Sequence, residues 1–407
     1  MKKNDEKDQF LRIGTKIYKN SQRPDVHGEV RDVRIEWSVE AIRQDFGNDE
    51  ARHIIDSMPK YDGEIPVPGH IDYKPIIGNW INSYKPLKYQ PQKGVDFPHI
   101  RGLVKHIFGE QYELGMDYLQ LLYLQPIQKL PVILLVSRKT DTGKSTFVHF
   151  LHEIYGDNAI HLTNNNLRSQ FNSDWTRSLL IMIEETLMNR REDSEMLKNM
   201  VTAYNYQSEA KGKDRVGVQF FAKLIMCSNN EENPVIIEPE DTRFWVRKIE
   251  TPKERDPRLM EKLTYEIPAF LHFLTKRNLS TQMEDRLWFR RDLIETDAWR
   301  SIVNGNRHNL EKQTLELCED IMDSCQVGAL YFCLNDLMNL LSYAGYKVER
   351  LQVKQMLQKK WQLSPSVVPN TYNTYLPDAT VPERYSAEHR QGRYYTITQE
   401  FLHKLTV

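Results

Sequence analysis

The spacing of apolar residues changes along this chain, and each change predicts a different kind of structure. Residues 1–30 are mostly polar, with one strand-like stretch, Phe10–Tyr18. A second strand is expected at Val33–Trp37, leading into a helix with Ser38 as N-cap and Gly47 as stop. Residues 56–95 mix Pro, Gly, Tyr and Lys without a period and read as a long irregular connection. Ile100, Leu103, Val104, Ile107 and Phe108 then repeat at helical spacing. Leu114, Tyr118, Leu121 and Leu122 do the same beyond Gly109, so two helices are expected over 97–125. From Leu130 to about Glu250, buried strands alternate with helices, the pattern of a three-layer α/β core. Residues 258–310 turn helical, and 311–407 read as a separate small domain.

Composition narrows the classes. A chain of 407 residues exceeds one ordinary core and predicts two or three domains. The longest apolar run, Leu130–Val136, is far short of the ~20 residues that span a bilayer. Met1–Gln9 is charged and lacks the apolar core of a signal peptide, which points to the cytoplasm of a bacterium or an infected cell. Cys227, Cys318, Cys325 and Cys333 form no C-x-x-C pair; buried free thiols are the expectation. The formal net charge of −1 gives no sign of nucleic-acid binding by itself, although a ring can confine positive charge to its channel.

The most specific segment is Ser137–Thr146, reading SRKTDTGKST. An apolar strand, Pro131–Val136, precedes it and an amphipathic helix follows, the context a Walker A phosphate loop needs. Backbone N–H groups over Thr140, Asp141, Thr142, Gly143, Lys144, Ser145 and Thr146 can cradle phosphate oxygens at the helix N-terminus. Gly143 permits close approach, Lys144 can reach the β- and γ-phosphates, and the Ser145 hydroxyl is placed to ligate Mg²⁺. Taken alone, the segment also fits a solvated turn before a helix.

Three further signals follow in order. Ser178–Ile183 reads as a buried strand ending in Glu184 and Glu185. Adjacent carboxylates there suit two tasks, Glu184 for the metal and Glu185 for orienting and deprotonating water. A strand end meeting solvent also carries acids. A third strand, Ala222–Cys227, ends in Ser228-Asn229-Asn230, where Asn229 can sit between the acids and a γ-phosphate or simply form a turn. Arg243 then precedes an apolar strand, placed either as an arginine finger for a neighbouring subunit or as a salt-bridge partner of Asp241 or Glu240; Arg247 is the second finger candidate. Between the second and third strands, Lys211, Gly212, Lys213 and Asp214 read as a hairpin tip. Lys211, Lys213 and Arg215 concentrate charge that can track a phosphate backbone, or that is merely a solvated basic turn.

Taken together, SRKTDTGKSTF, LLIMIEE, the KGKD turn, AKLIMCSNN and DTRFWV resemble the superfamily III helicases. More narrowly, they look like the helicase part of phage and mobile-element primase–helicases related to the poxvirus primase–helicase. The resemblance is close over residues 96–250 and looser through Phe10–Gly14. It implies an AAA+ P-loop core, a homo-hexameric ring, Mg²⁺-dependent ATP hydrolysis and translocation on single-stranded or forked DNA. It also implies DNA contact by Lys211 and Lys213, a γ-phosphate sensor role for Asn229 and a finger role for Arg243. Two departures stand out. Arg138 occupies the position of the motif's first glycine, and residues 1–95 are short for a primase domain and hold no D-x-D metal pair. Primase activity is therefore not expected of this chain, and a separate primase is one candidate partner.

The expected domains are an N-terminal α+β region (1–95), a helical lead-in plus ATPase core (96–256), a helical connector (257–310) and a winged-helix-like domain (311–407). In the last, Leu330–Tyr343 and Arg350–Lys360 read as helices around a turn, with Lys354, Lys359 and Lys360 on a basic face and Arg393–Ile397 as a wing strand. A DNA helicase is the leading functional expectation. An ATP-switched DNA-binding initiator or loader that does not unwind is the alternative. A small-molecule P-loop kinase fits less well, because it leaves the order Asn229 then Arg243 unexplained.

Overall fold

The computed structural model describes residues 9–406, apart from 25, 27, 29, 95, 170, 189, 210, 213, 239, 240, 347 and 378–384. Internal contacts divide the chain into two units. The first holds Met1–Leu187, Met196–Asn230 and Thr242–Thr296; the second holds Met188–Glu195, Glu231–Asp241 and Asp297–Val407.

The first unit begins with β1 (Phe10–Ile13), β2 (Lys16–Pro24) and β3 (Val30–Trp37). The expected single strand Phe10–Tyr18 is in fact a hairpin, because Gly14 takes a left-handed φ of +60° and reverses the chain. Helix α1 (Val39–Phe46) starts where the Ser38 hydroxyl accepts the Ala41 N–H at 3.0 Å, and stops at Gly47. Helix α2 (Asn48–Ser57) follows, and β4 (Lys60–Tyr61) pairs parallel with β1. Phe10, Ile17, Ile42, Ala51, Ile54 and Met58 form the small core between sheet and helices. The irregular stretch carries only a short sheet of β5 (Gly63–Ile65), β6 (Ile76–Ile77) and β7 (Trp80–Asn82).

Helices α3 (Pro98–Phe108) and α4 (Tyr112–Leu124) are separated by Gly109, at a φ of +53°. His70 is buried against α4. Its Nδ1 lies 2.6 Å from the Tyr123 carbonyl and its Nε2 2.6 Å from the Tyr84 hydroxyl. The neutral tautomer with a proton on Nδ1 satisfies both. Burial pushes the imidazole down to about 4, against the opposing pull of the Tyr123 carbonyl. The folded value lies below the unfolded one, so the unfolded chain takes the proton more readily between them. The contribution is complete above the unfolded value near 6.5 and is lost as pH falls towards 4, by about 3 kcal/mol in all. Urea midpoints should therefore fall more steeply with acidification in wild type than in His70→Gln; equal slopes would remove this assignment.

The centre of the first unit is a five-stranded, wholly parallel sheet. Its chain order is β8 (Val132–Val136), α5 (Lys144–Tyr155), β9 (Ala159–Leu162), α6 (Asn164–Arg168), β10 (Leu180–Ile183), α7 (Arg191–Thr202), β11 (Asn205–Ser208), β12 (Val216–Gln219), β13 (Lys223–Ser228) and β14 (Phe244–Lys248). The spatial order is β14-β8-β13-β10-β9, with β11 and β12 forming a separate hairpin. Ile133, Leu135, Leu180, Met182, Ile225 and Trp245 share a core with α3, α4, α5 and α8 (Leu259–Lys276). The alternate residues Val132, Leu134, Ile181, Ile183, Leu224, Met226, Phe244 and Val246 are also buried. A strand buried on both faces reads as a continuous apolar run, which is why these strands stood out in the sequence. Each such side chain contributes roughly 1.5–3 kcal/mol by leaving water. The short α9 (Arg291–Ile294) closes this unit.

The second unit contains α10 (Asp297–Cys325), β15 (Ala329–Phe332), α11 (Leu334–Tyr343), α12 (Arg350–Gln355) with a π-helical turn Met356–Lys360, the hairpin β16 (Asn370–Pro377) and β17 (Tyr385–Gly392), β18 (Tyr395–Thr398) and α13 (Gln399–Thr406). Helix α10 runs through positions 310 and 311 without a break. The expected helix Leu330–Tyr343 begins instead as a strand, because Leu330–Phe332 pair with Tyr395–Ile397. The helix starts only where the Asp336 carboxylate accepts the Cys333 N–H at 2.8 Å. Cys227 and Cys318 are buried, whereas Cys325 and Cys333 are half-buried, and all four are free thiols. Gly305 lets α10 approach Glu232 and Asn233 closely; an added Cβ would stand 2.9 Å from the Glu232 carbonyl. Among the described residues no helix is long and apolar enough to cross a membrane.

Candidate nucleotide site and candidate nucleic-acid hairpin

The C-terminal ends of β8, β9, β10 and β13 surround one cavity of about 540 Å³, where open parallel sheets hold their ligands. Thr140–Thr146 forms its floor, with Glu184, Glu185 and Asn229 on the walls. Gly143 has a φ of +88°, so its backbone calls for glycine, although an added Cβ would make only ordinary contact with the His106 ring at 3.4 Å. The His106 Nε2 lies 2.8 Å from the Thr142 carbonyl and ties α3 to the loop. Arg138 is exposed and is not among the residues with positive φ. The backbone at that position therefore does not require the missing glycine.

Lys144 begins α5 and is buried. Its Nζ donates to the Ser137 carbonyl at 3.3 Å, the Thr142 hydroxyl at 3.3 Å, the Lys139 carbonyl at 3.5 Å and Asn229 Oδ1 at 3.2 Å. The amine thus faces a ring of oxygens at the helix N-terminus, where the backbone dipole also favours an anion. The Ser145 hydroxyl donates to Glu184 Oε2 at 2.6 Å. This oxygen pair beside the loop is a donor set suited to a hard divalent cation. Glu185 holds a left-handed φ of +56° and Asp141 one of +54°. Such strain in non-glycine residues costs about 1–3 kcal/mol and tends to gather at working sites. The Glu185 carbonyl accepts from Asn164 Nδ2 at 3.3 Å, which helps to hold it.

Several cavity residues had no local sequence signal. His161 and Thr163 line the wall. Thr163 caps α6 through a reciprocal bond pair with Asn166. His161 Nδ1 lies 3.5 Å from Glu184 Oε1. Burial, together with nearby His152 and His149, holds its imidazole below the ordinary value against the pull of Glu184. Burial likewise pushes the Cys227 thiol up to about 12, so it is not a nucleophile. Arg255 forms an ion pair with Asp141 at 3.1 Å across the loop.

Arg243 does not line this cavity. Its carbonyl accepts the Val132 N–H at 2.8 Å, at the start of β8, whereas the phosphate loop leaves from Val136 at the strand's far end. At ~3.3 Å per residue the two ends are about 13 Å apart. Arg247, the second finger candidate, is engaged within its own unit. It donates to the Ile107 carbonyl at 3.2 Å and to Gln111 Oε1 at 2.8 Å. Those partners lie far upstream in sequence, so the sequence pattern alone gave no warning.

The β11–β12 hairpin pairs Asn205–Ser208 with Val216–Gln219, and Gly212 turns its tip with a φ of +75°. Lys211 is exposed there; Lys213 lies outside the described residues. Arg215 Nε donates to Glu209 Oε2 at 2.5 Å, so part of the expected basic charge is neutralised within the hairpin. In the second unit Lys354 and Lys359 are exposed, but Lys360 is paired with Glu311.

Residues 135–247 match a family of unknown function, DUF5906. The match spans the phosphate loop through β14, less than half of the chain. The chain is also similar to a DNA primase-polymerase of Nitratiruptor phage NrS-1, 28% identical over 179 residues, which is 41% of this chain and 24% of that protein. The chain thus matches about a quarter of that relative's length. Among solved structures, it shares its fold with the NrS-1 C-terminal region, residues 305–718, in the apo state, at a TM-score of 0.56 and 16% identity over 95% of each chain. A second apo structure of that region, in the A form, gives 0.55 and 16% over 96% of each. At this identity the likeness concerns the fold alone.

Proposed function

We propose that this chain is a P-loop ATPase of the AAA+ type, acting as a superfamily III DNA helicase or translocase in the replication of a phage or mobile element. The observation that carries the reading is the convergence of Lys144, the Ser145–Glu184 pair, Glu185 and Asn229 on one cavity at the C-terminal edge of a parallel sheet. The order of those elements along the chain, and the likeness to a phage DNA primase-polymerase, support the replication setting. The fold shared with the C-terminal region of that protein fits a role beside a primase.

In this reading Lys144 and the loop N–H groups bind the β- and γ-phosphates of ATP, and Ser145 and Glu184 hold Mg²⁺. The metal, when bound, neutralises charge on the phosphates. Glu185 orients and deprotonates the attacking water, with Asn229 positioning it against the γ-phosphate. Arg243, at the opposite end of the sheet from its own loop, serves the site of a neighbouring subunit in a homo-hexamer. Lys211 and the hairpin tip contact single-stranded DNA in the channel.

The test is a mixing experiment joined to an unwinding assay. Arg243→Ala alone is expected to lose ATP turnover by roughly 10³-fold. Mixing it with Lys144→Ala subunits, which keep Arg243 but lack the amine, should restore hydrolysis above the sum of the two. No rescue at any ratio would overturn the finger in trans. Wild type should unwind forked DNA with ATP. The α11–α12 pair and the following turn, whose Lys354 and Lys359 are exposed, favour the second reading of an initiator or loader. ATP-dependent DNA binding without unwinding would select it.

A further inference from the structure

A second cavity, of about 420 Å³, lies at the root of the β11–β12 hairpin and has no part in the nucleotide site. Pro68, the loop Leu124–Lys129, Tyr204 and Met283 line it, all within the first unit. Its rim is apolar and open: Tyr204 is 66% exposed, Ile127 62% and Met283 57%. The Tyr204 carbonyl accepts the Phe220 N–H at 2.8 Å, so this tyrosine belongs to the last rung of the hairpin.

Among the described residues, Lys129 is the only charged one lining the cavity. It is buried, and its Nζ donates to the Phe220 carbonyl at 2.7 Å. It also stands 5.0 Å from the Phe220 ring centroid and 5.7 Å from that of Tyr204. Behind it, Lys223 is fully buried and donates to the carbonyls of Pro126 and Phe221. Both amines are met by neutral oxygens and rings. Burial pushes Lys129 down to about 8; burial, with Lys129 adding to it, also holds Lys223 well below its ordinary range and so disfavours its charged form. Lys129, held by neutral partners and protonated below about 8, is the cation at this mouth, and an arriving anion would stabilise its charge. A half-open aromatic ring beside a buried cation is the chemistry that recognises a nucleotide unit: a base face on the ring, a phosphate towards the charge.

We propose that this hairpin-root cavity is a second subsite for single-stranded DNA, in which a base stacks on Tyr204 and its flanking phosphate is drawn by Lys129. The inference rests on the reading of the chain as a DNA translocase, and extends the contact from the hairpin tip to its root. A strand lying along the hairpin then meets charge at Lys211 and an aromatic platform at Tyr204.

The experiment measures fluorescence anisotropy of a labelled oligo-dT with wild type, Tyr204→Ala, Tyr204→Phe and Met283→Glu, alongside the mass of each assembly by light scattering. Both positions are exposed, so folding should survive. Tyr204→Ala should weaken binding roughly 5- to 100-fold, as expected for the loss of one stacked base. Tyr204→Phe should restore it, and Met283→Glu should weaken it by repelling the phosphate. If wild type binds oligo-dT and all variants bind equally, the subsite is wrong while the translocase reading stands. If wild type does not bind at all, both fall. If Tyr204→Ala lowers the assembly mass and leaves DNA affinity intact, the cavity receives a second copy of this chain, and the proposal is overturned.

Discussion

Replacing Lys144 by alanine is expected to lower ATP turnover by roughly 10²–10³-fold or more, in the presence or absence of single-stranded DNA. The expectation rests on position as much as on residue type. The ammonium is buried at the N-terminus of α5 and faces the oxygens of Ser137, Lys139, Thr142 and Asn229. No other lysine or arginine lines that cavity among the described residues. A phosphate placed there loses its one resident counter-charge in the variant. The amine also ties the loop to the end of β13, so a second effect is foreseen: Asn229 loses a donor and the cavity wall loosens. Phosphate release assayed across an ATP titration separates the two. Loss of kcat at unchanged KM assigns Lys144 to the reacting phosphate, and a raised KM alone assigns it to ground-state binding. Turnover at the wild-type rate would remove the nucleotide-site assignment altogether.

The second large effect concerns stability and is independent of any activity. Asp117→Ala should destabilise the first unit by about 3–5 kcal/mol, the cost of leaving a buried ion-pair partner alone. Asp117 is fully buried on α4. Its carboxylate accepts the Ser280 N–H at 3.0 Å, the Ser280 hydroxyl at 2.8 Å, the Thr281 N–H at 2.8 Å and the Thr281 hydroxyl at 2.7 Å. It is also paired with Arg277, which bonds Gln120 and Glu113 as well. This one side chain therefore fastens the segment after α8 onto α4. Burial alone would raise its carboxyl, but the bonds from Thr281, Ser280 and Arg277 outweigh it and hold the group below the ordinary range. A depressed carboxylate contributes stability that is present above its unfolded value near 4 and is lost as pH falls through the folded one. The difference in urea midpoint between wild type and Asp117→Ala should be largest near pH 7 and shrink in acid. A difference that does not change with pH would mean that shape rather than charge is at stake.

The sequence was most legible where structure is local or where both sheet faces are covered. The run Val132–Val136 is apolar throughout because every residue is buried, and the loop after it carries its own chemistry over a few consecutive positions. Glu184, Glu185 and Asn229 were readable because each closes such a strand. What could not be read depends on distant partners. His106, on α3, reaches the Thr142 carbonyl from a helix that carries only an apolar signature in the sequence. His161 and Thr163 become cavity walls only when β9 takes the sheet edge next to β10. Arg247, a finger candidate in the sequence, is bound to Ile107 and Gln111, residues that precede the 137–143 loop. The hairpin of β1 and β2 was missed because one glycine in a polar context gives a weak turn signal beside a continuous strand propensity.

The ring of oxygens around Lys144 has a thermodynamic consequence. Its amine faces four neutral oxygens, those of Ser137, Lys139, Thr142 and Asn229. On the proposed reading of this cavity, a bound phosphate would displace some of these contacts, so binding would be an exchange in which the number of bonds barely changes. What changes is the charge of the acceptor, from neutral carbonyl, hydroxyl and amide oxygens to an anionic one. Discrimination at this position is therefore a matter of ligand valence, and affinity should grow with each negative charge delivered to the loop and decline with ionic strength.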